Sequence, residues 1–364
     1  MITWRRGVVS AHGRAWPGAL ELVVDVAGEQ VRALAHPPLV GTPEVGDTVL
    51  LNVTALDLGL GTGGYALVVV VPDRLPPDRT GPGHLVKARY SPLQAVVLGA
   101  DEQDSPHHAA LAAGNPLPPP GMPVVVADLH SSLPGVVAGL LAARPGTRVA
   151  YVMTDGGALP LWFSRTVAAL RDRLVGTVTV GQAYGGDAEA VTLHSGLLAA
   201  HHVLGAEVAV VTQGPGNLGT GTAWGFSGVA CGEAVNAAAA VGGRPVGVLR
   251  MSSADPRPRH RGVSHHSRTA YGRVALVPAD VVVPSSYADL AGPLPELARH
   301  RVLVVDDAGL PEVLRDCGLP LSTMGRGLAD DPVAFVAAAA AGRHTATLLA
   351  QPESRVHTRD LPTE

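Results

Sequence analysis

The stretch QGPGNLGTGTAWGFSG, residues 213–228, stands between a Val-rich run and an Ala-rich one, and its residue types are those that hold an anion. Gly214, Gly216 and Gly219 match G-x-G-x-x-G in a strand-then-helix context, the setting in which that spacing is informative. Glycine lets successive backbone N–H groups converge on a phosphate or carboxylate beside a helix N-terminus, so Gly214, Gly216, Asn217, Gly219, Thr220, Gly221 and Thr222 form a candidate anion loop. The match departs from the dinucleotide fingerprint in two ways. Gly221, Gly225 and Gly228 prolong the loop, and no acidic residue ends the next strand, which reaches Ser252 and Ser253 before Asp255. A nicotinamide or flavin is therefore not the first expectation, the absence of G-K-[ST] excludes a standard P-loop, and the cofactor stays open. A tight glycine crossing that only packs a helix is the plainer alternative.

One strand later, residues 250–273 carry six arginines (250, 257, 259, 261, 268 and 273) against Asp255 alone, a formal +5 in a chain of net charge -4. Guanidinium forks suit phosphate, so Arg259, Arg261 and Arg268 are expected to clamp whatever the loop holds, with His265 or His266 and Asp155 as acid–base groups. A solvated basic loop or a subunit contact would account for the same charge. Asp128, His130 and His260 are candidate metal ligands in a mixed imidazole and carboxylate shell, although His260, His265 and the adjacent His266 have a spacing that no common zinc motif uses. Lys87 is the only lysine among 27 basic residues, a compact cation that arginine cannot replace, and it joins the candidate anion ligands. No G-x-S-x-G elbow is present, and Cys231 reads as buried packing.

These residues need a frame that brings loops together. Val-rich runs alternate with helical ones from PVVVADL at residue 123 to RVLVVDD at 301, which predicts an α/β domain with a mainly parallel, doubly wound, Rossmann-like sheet of about seven strands. An eighth would come from residues 94–99. In such sheets ligands bind beyond the carboxyl ends of the strands, where the sequence places Asp128, Asp155, Gln213 and Ser252, although helix N-caps also favour Ser, Thr and Asp there. Before this domain, residues 1–72 read as short strands broken by turns, a small SH3-like or OB-like barrel. Residues 73–122 form a proline-rich connection, 123–350 the α/β domain, and 351–364 a flexible tail.

With 46% hydrophobic and 16% charged residues the chain can bury more than one core, and its small net charge attracts neither nucleic acid nor an anionic membrane. The barrel has four arginines against six acids, which opposes an oligonucleotide role. Two cysteines, no signal-peptide core near MITWRRGVVSAHG and no apolar run of about 18 residues lead to the expectation of a cytoplasmic protein, possible as a homo-oligomer. The Ala, Gly, Pro and Arg bias is that of a GC-rich bacterial genome.

Residues 191–222 (VTLHSGLLAAHHVLGAEVAVVTQGPGNLGTGT), the later RHRGVSHHSRTAYG and the KARYSPLQ stretch around Lys87 resemble an uncharacterised bacterial family known as domain of unknown function 3866. The resemblance covers most of the chain and implies no activity, substrate or catalytic residue. The residues themselves point to an enzyme, a hydrolase or transferase, acting on a small anionic, phosphate-bearing metabolite. Two alternatives stay open: a non-enzymatic sensor or scaffold that docks a partner through its barrel, and a His/Asp metal-dependent hydrolase.

Overall fold

A computed structural model describes residues 1–61 and 63–349, so the tail expected at 351–364 lies outside the described residues. The first five strands are β1 (Trp4–Trp16), β2 (Ala19–Val26), β3 (Glu29–Ala35), β4 (Thr48–Asn52) and β5 (Ala66–Val70), and they close into a barrel of order β1-β2-β3-β5-β4. Closure depends on β1, long enough to pair with β2 at one end (Trp16↔Ala19) and β4 at the other (Trp4↔Asn52), and it bends at a register shift between Val9 and Ala11. Val9, Leu22, Val24, Val49, Leu51 and Val68 fill the interior.

The barrel is fixed to the rest of the chain by aromatic contact. Trp16 Nε1 donates to the carbonyl of Trp162 at 2.7 Å, and Trp16, Trp162 and Phe163 pack around Leu34 and Tyr65. The β1–β2 turn passes so close to Trp162 that a Cβ on Gly18, whose φ is +75°, would lie 2.2 Å from the indole.

In the connection, β6 (Leu85–Lys87) and β7 (Ala95–Val97) pair with each other, and of residues 94–99 only Gly99 meets the large sheet, by an isolated parallel bridge to Glu189, so the stretch is not one of its strands. That sheet does have eight strands: β8 (Pro123–Val126), β9 (Val149–Thr154), β10 (Gly176–Thr179), β11 (Ala188–Glu189), β12 (Val208–Gln213), β13 (Arg244–Val248), β16 (Asp280–Pro284) and β17 (Arg301–Val305); β14 (Met251–Ser252) and β15 (Gly262–Val263) form a separate two-stranded hairpin. The seven apolar runs are all strands, and the additional one is β11, a two-residue edge too short to leave an apolar pattern. Its order is β11-β10-β9-β12-β8-β13-β16-β17, and every pairing is parallel.

Both faces of the inner strands are buried. Val124 and Val126 join one core with Leu197, Val235 and Tyr271, whereas Val125 joins the other with Leu133, Leu140, Phe335 and Val336. This is the period of two that turns successive side chains to opposite faces, and it explains why the strands read as unbroken apolar runs. Helix Leu133–Ala143 packs against helix Pro332–Leu349 on the second face, while Leu193–His202 and Ala230–Ala240 cover the first. No helix among the described residues is long and apolar enough to cross a membrane.

Candidate functional site

The carboxyl ends of β8, β9 and β12 adjoin at the centre of the sheet. Gln213, the last residue of β12, donates from Nε2 to the carbonyl of Asp128 at 2.7 Å, tying two strand ends together. The loops that follow β9 and β12 touch backbone to backbone: Ala158 N donates to Pro215 O at 2.8 Å, and a Cβ on Gly214 would lie 2.3 Å from Ala158 O. Glycine at 214 is therefore a requirement of close approach. Instead of turning at once into a helix, the loop makes a small hairpin bridged at Gly219 and Phe226, and the helix begins only at Ala230. Thr220, Gly221 and Thr222 form its exposed tip, where Thr220 N bonds Gly225 O and Thr222 Oγ1 accepts from Gly225 N.

The hairpin separates two environments. On one side Gly214–Gly219 line a cavity of about 800 Å³, completed by His130 and Ser131 after β8, Ser164–Thr166 at the start of a short helix, Ala55, Leu60 and Gly61 of the barrel, and Ser322–Met324. Hydroxyls and amides dominate its polar lining, Arg165 supplies a guanidinium, and among the described residues no carboxylate lines it. His130 lies at this wall, buried, with Nε2 2.6 Å from Ser164 Oγ and Nδ1 2.9 Å from the Tyr151 hydroxyl. Tyr151 in turn meets Thr212 Oγ1 at 2.9 Å, and Thr212 donates to Gln213 O at 2.8 Å. One orientation satisfies the whole chain: Ser164 donates to His130, His130 to Tyr151, Tyr151 to Thr212, and Thr212 to the carbonyl. Burial pushes the His130 imidazole down to about 4, so near neutral pH it is an uncharged acceptor for the serine proton. With both nitrogens hydrogen-bonded, His130 is not the metal ligand expected from the sequence.

On the other side, Phe226 stacks on His266 with ring centres 3.7 Å apart and planes 3° from parallel. His260, His265 and His266 gather there, brought together by a hairpin of β14 (Met251–Ser252) and β15 (Gly262–Val263) that folds the arginine-rich segment back on itself. His260 Nδ1 is 2.8 Å from Ser264 Oγ, which also accepts from His266 N and so caps the short helix His265–Thr269. Asp128 faces this group from the end of β8, its Oδ2 3.7 Å from His266 Nδ1 and 3.8 Å from Arg250 Nη1. Burial, ahead of the neighbouring charges, holds His260 down to about 3 and His265 to about 4.

Most of the expected arginine clamp is engaged elsewhere. Arg261 Nε donates to Asp255 O at 2.9 Å and Arg268 is paired with Glu296, so of the three clamp residues only Arg259 is turned to the loop, with Nη2 3.4 Å from where a Cβ on Gly221 would stand. Asp255 also takes Arg257 in a two-pronged pair and Arg326 at 3.1 Å. The formal +5, which already counts Asp255, overstates the free charge because Asp128 and Glu296 face Arg250 and Arg268 from outside the segment. Lys87 is likewise closed to a ligand: buried, it donates to Ala183 O and Ala190 O at 2.9 and 3.1 Å and lies 3.3 Å from Glu189. Asp155 is exposed, accepts from Gln182 N at 2.9 Å and does not line the cavity. Sequence reasoning passed over Ser164 and Arg165; the legible signal was a serine closing a Trp-Phe-Ser turn before a helical run, the position of an N-cap.

Fold and site together define a parallel-sheet α/β protein joined to a five-stranded barrel, with a ligand-sized cavity at the strand ends. The chain belongs to the family described as a protein of unknown function, DUF3866, which matches residues 32–342. Comparison with curated proteins gives no match.

Proposed function

We propose that this chain binds a small anionic metabolite, phosphate-bearing or carboxylate-bearing, in the cavity between the glycine loop and the barrel. The observation that carries this reading is the lining: hydroxyls, loop amides and the Arg165 guanidinium, with no carboxylate among the described residues. Such a surface favours an anion through charge-assisted hydrogen bonds, and its volume suits a metabolite. The sheet is read as doubly wound and Rossmann-like, with the ligand beyond the carboxyl ends of its strands. Ser164 is the group placed to act on the bound molecule as a hydrolase or transferase would, since its hydroxyl proton is directed at the neutral His130 imidazole. The two free cysteines accord with a reducing, cytoplasmic setting.

Calorimetry with inorganic phosphate, pyrophosphate, sugar phosphates and nucleotides tests the reading. Saturable binding to the native chain and at least a tenfold loss in Arg165→Glu are expected. Equal affinities for the two proteins would overturn it.

A sensor reading draws on a different observation, the presence of Ala55, Leu60 and Gly61 of the barrel in the same cavity wall. A ligand there touches both halves of the chain, so it would stiffen their junction without turnover. Hydrogen exchange across residues 54–61 distinguishes this, with slower exchange on ligand addition and no product formed.

A further inference from the structure

Beyond the anion cavity, we propose that His260, His265, His266 and Asp128 form a binding site for one divalent transition metal of zinc-like preference, on the far side of the glycine hairpin.

The imidazoles already stand in the arrangement such an ion requires. Their ring centres are 5.0, 5.0 and 4.4 Å apart, and one ligating nitrogen from each lies within 4.8 Å of the others. Three histidines bound to one tetrahedral ion through nitrogens at ~2.1 Å hold their ring centres about 5 Å apart. Asp128 adds a fourth ligand of the right kind: Oδ2 is 3.7 Å from His266 Nδ1, against roughly 3.3 Å between ligand atoms of a tetrahedral zinc shell.

A second observation points to the same place. Asp128 is 5% exposed, yet its Oδ2 has no hydrogen-bond partner among the described residues, and His265 Nε2 is buried without one as well. A buried carboxylate oxygen whose nearest basic groups stand 3.7 and 3.8 Å away and a buried imidazole nitrogen, both without a hydrogen bond, are costly, and a bound cation relieves both. The surroundings support a preformed shell. Ser264 holds His260 by Nδ1, which leaves Nε2 for a metal, and the Phe226 ring fixes the plane of His266. Imidazole with one carboxylate favours zinc and its borderline neighbours over magnesium or calcium.

Arg250 is the competing charge. Its Nη1 lies 3.1 Å from His266 Nδ1 and 3.8 Å from Asp128 Oδ2, so a guanidinium balances the carboxylate where the metal would. Removing that charge should therefore tighten metal binding, the reverse of its effect on an anion site.

The test uses the full chain prepared without chelator. Elemental analysis and titration with Co2+, followed by its visible d–d absorption, should give one ion per chain with the intense spectrum of a four-coordinate site. His265→Ala and Asp128→Asn should weaken binding by at least tenfold, and Arg250→Gln should tighten it. Arg165→Glu should bind Co2+ as the native chain does, so failure of the anion reading and failure of this one remain separate. If circular dichroism shows either ligand variant unfolded, His265→Asn serves with the same expected loss. A spectrum that stays that of hydrated Co2+, or equal binding by native and ligand-variant proteins, would overturn the proposal.

Discussion

Ser164 Oγ lies 2.6 Å from His130 Nε2 while accepting a hydrogen bond from Val167 N at 3.0 Å, so one buried hydroxyl at the cavity wall both caps a helix and meets the imidazole. Ser164→Ala removes both, and a lost N-cap alone costs about 1 kcal/mol. A fall in Tm and in the denaturant midpoint is expected, and Ser164→Asp should restore the cap without restoring a donor to His130.

The same histidine sets a pH dependence. Its folded value near 4 lies below the unfolded 6.5, so the unfolded chain binds the extra proton between those values. Stability from this group is thus complete above pH 6.5 and falls as pH drops toward 4, by about 3 kcal/mol across the window. A His130→Gln variant should show a flatter decline of Tm over that interval; an unchanged slope would assign the acid sensitivity elsewhere.

The junction between barrel and sheet depends on Trp162. Gly18→Ala drives a methyl into its ring at 2.2 Å and strains a backbone at φ +75°, so a loss of about 2 kcal/mol or more is expected. Trp16→Phe removes the 2.7 Å bond to Trp162 O together with part of the indole's packing on Leu34 and Tyr65 and should cost about 1–2 kcal/mol. Both should speed proteolysis within residues 72–83, and the first should do so more strongly.

How much of this was legible follows from which interactions are local. The Val-rich runs named seven strands because the inner ones are buried on both faces, although the edge strand β17 leaves Val302 and Val304 exposed, and the turn-broken start named a barrel. Residue 188–189 pairing left no trace, since two edge residues carry no periodicity. At the site, Gln213 and the glycines were visible because backbone proximity selects glycine. Ser164 and Arg165 were not, because their place at the cavity depends on a connection from β9 whose path no local pattern records. The arginines misled for a related reason: charge counted along the segment omits Glu296 and Asp128, which reach it through space.

Lys87 bears on stability and not on the ligand. Its ammonium donates to Ala183 O and Ala190 O and pairs with Glu189, while burial pulls the lysine down and pushes the carboxyl up. Removing one partner leaves the other buried and unpaired, so Lys87→Ala should cost about 3–5 kcal/mol. Lys87→Arg should also destabilise, because a planar fork does not reproduce the three donor directions. Phosphate affinity at a temperature where each variant is folded should be that of the native chain.

Asp255 tests what shapes the arginine-rich segment. It is 1% exposed and held between Arg257, whose Nε and Nη2 each lie 2.9 Å from its oxygens, and Arg326 at 3.1 Å. The hydrogen bonds from Arg257 hold its carboxyl well below the usual range. The sign follows: a depressed folded value gives stability that is present above the unfolded value near 4 and lost as pH falls below it. Arg326 also meets Asp331 at 3.2 Å, and Asp331 accepts from Ser252 at the start of the β14–β15 hairpin. Arg326→Ala would therefore leave Asp331 without its guanidinium and take from Asp255 one of its two, with an expected loss of about 3–5 kcal/mol. Arg257→Ala leaves Asp255 its Arg326 partner and should cost less. Should the two variants unfold at the same denaturant concentration, the carboxylate pair would not be what anchors the hairpin that carries His260 and His265.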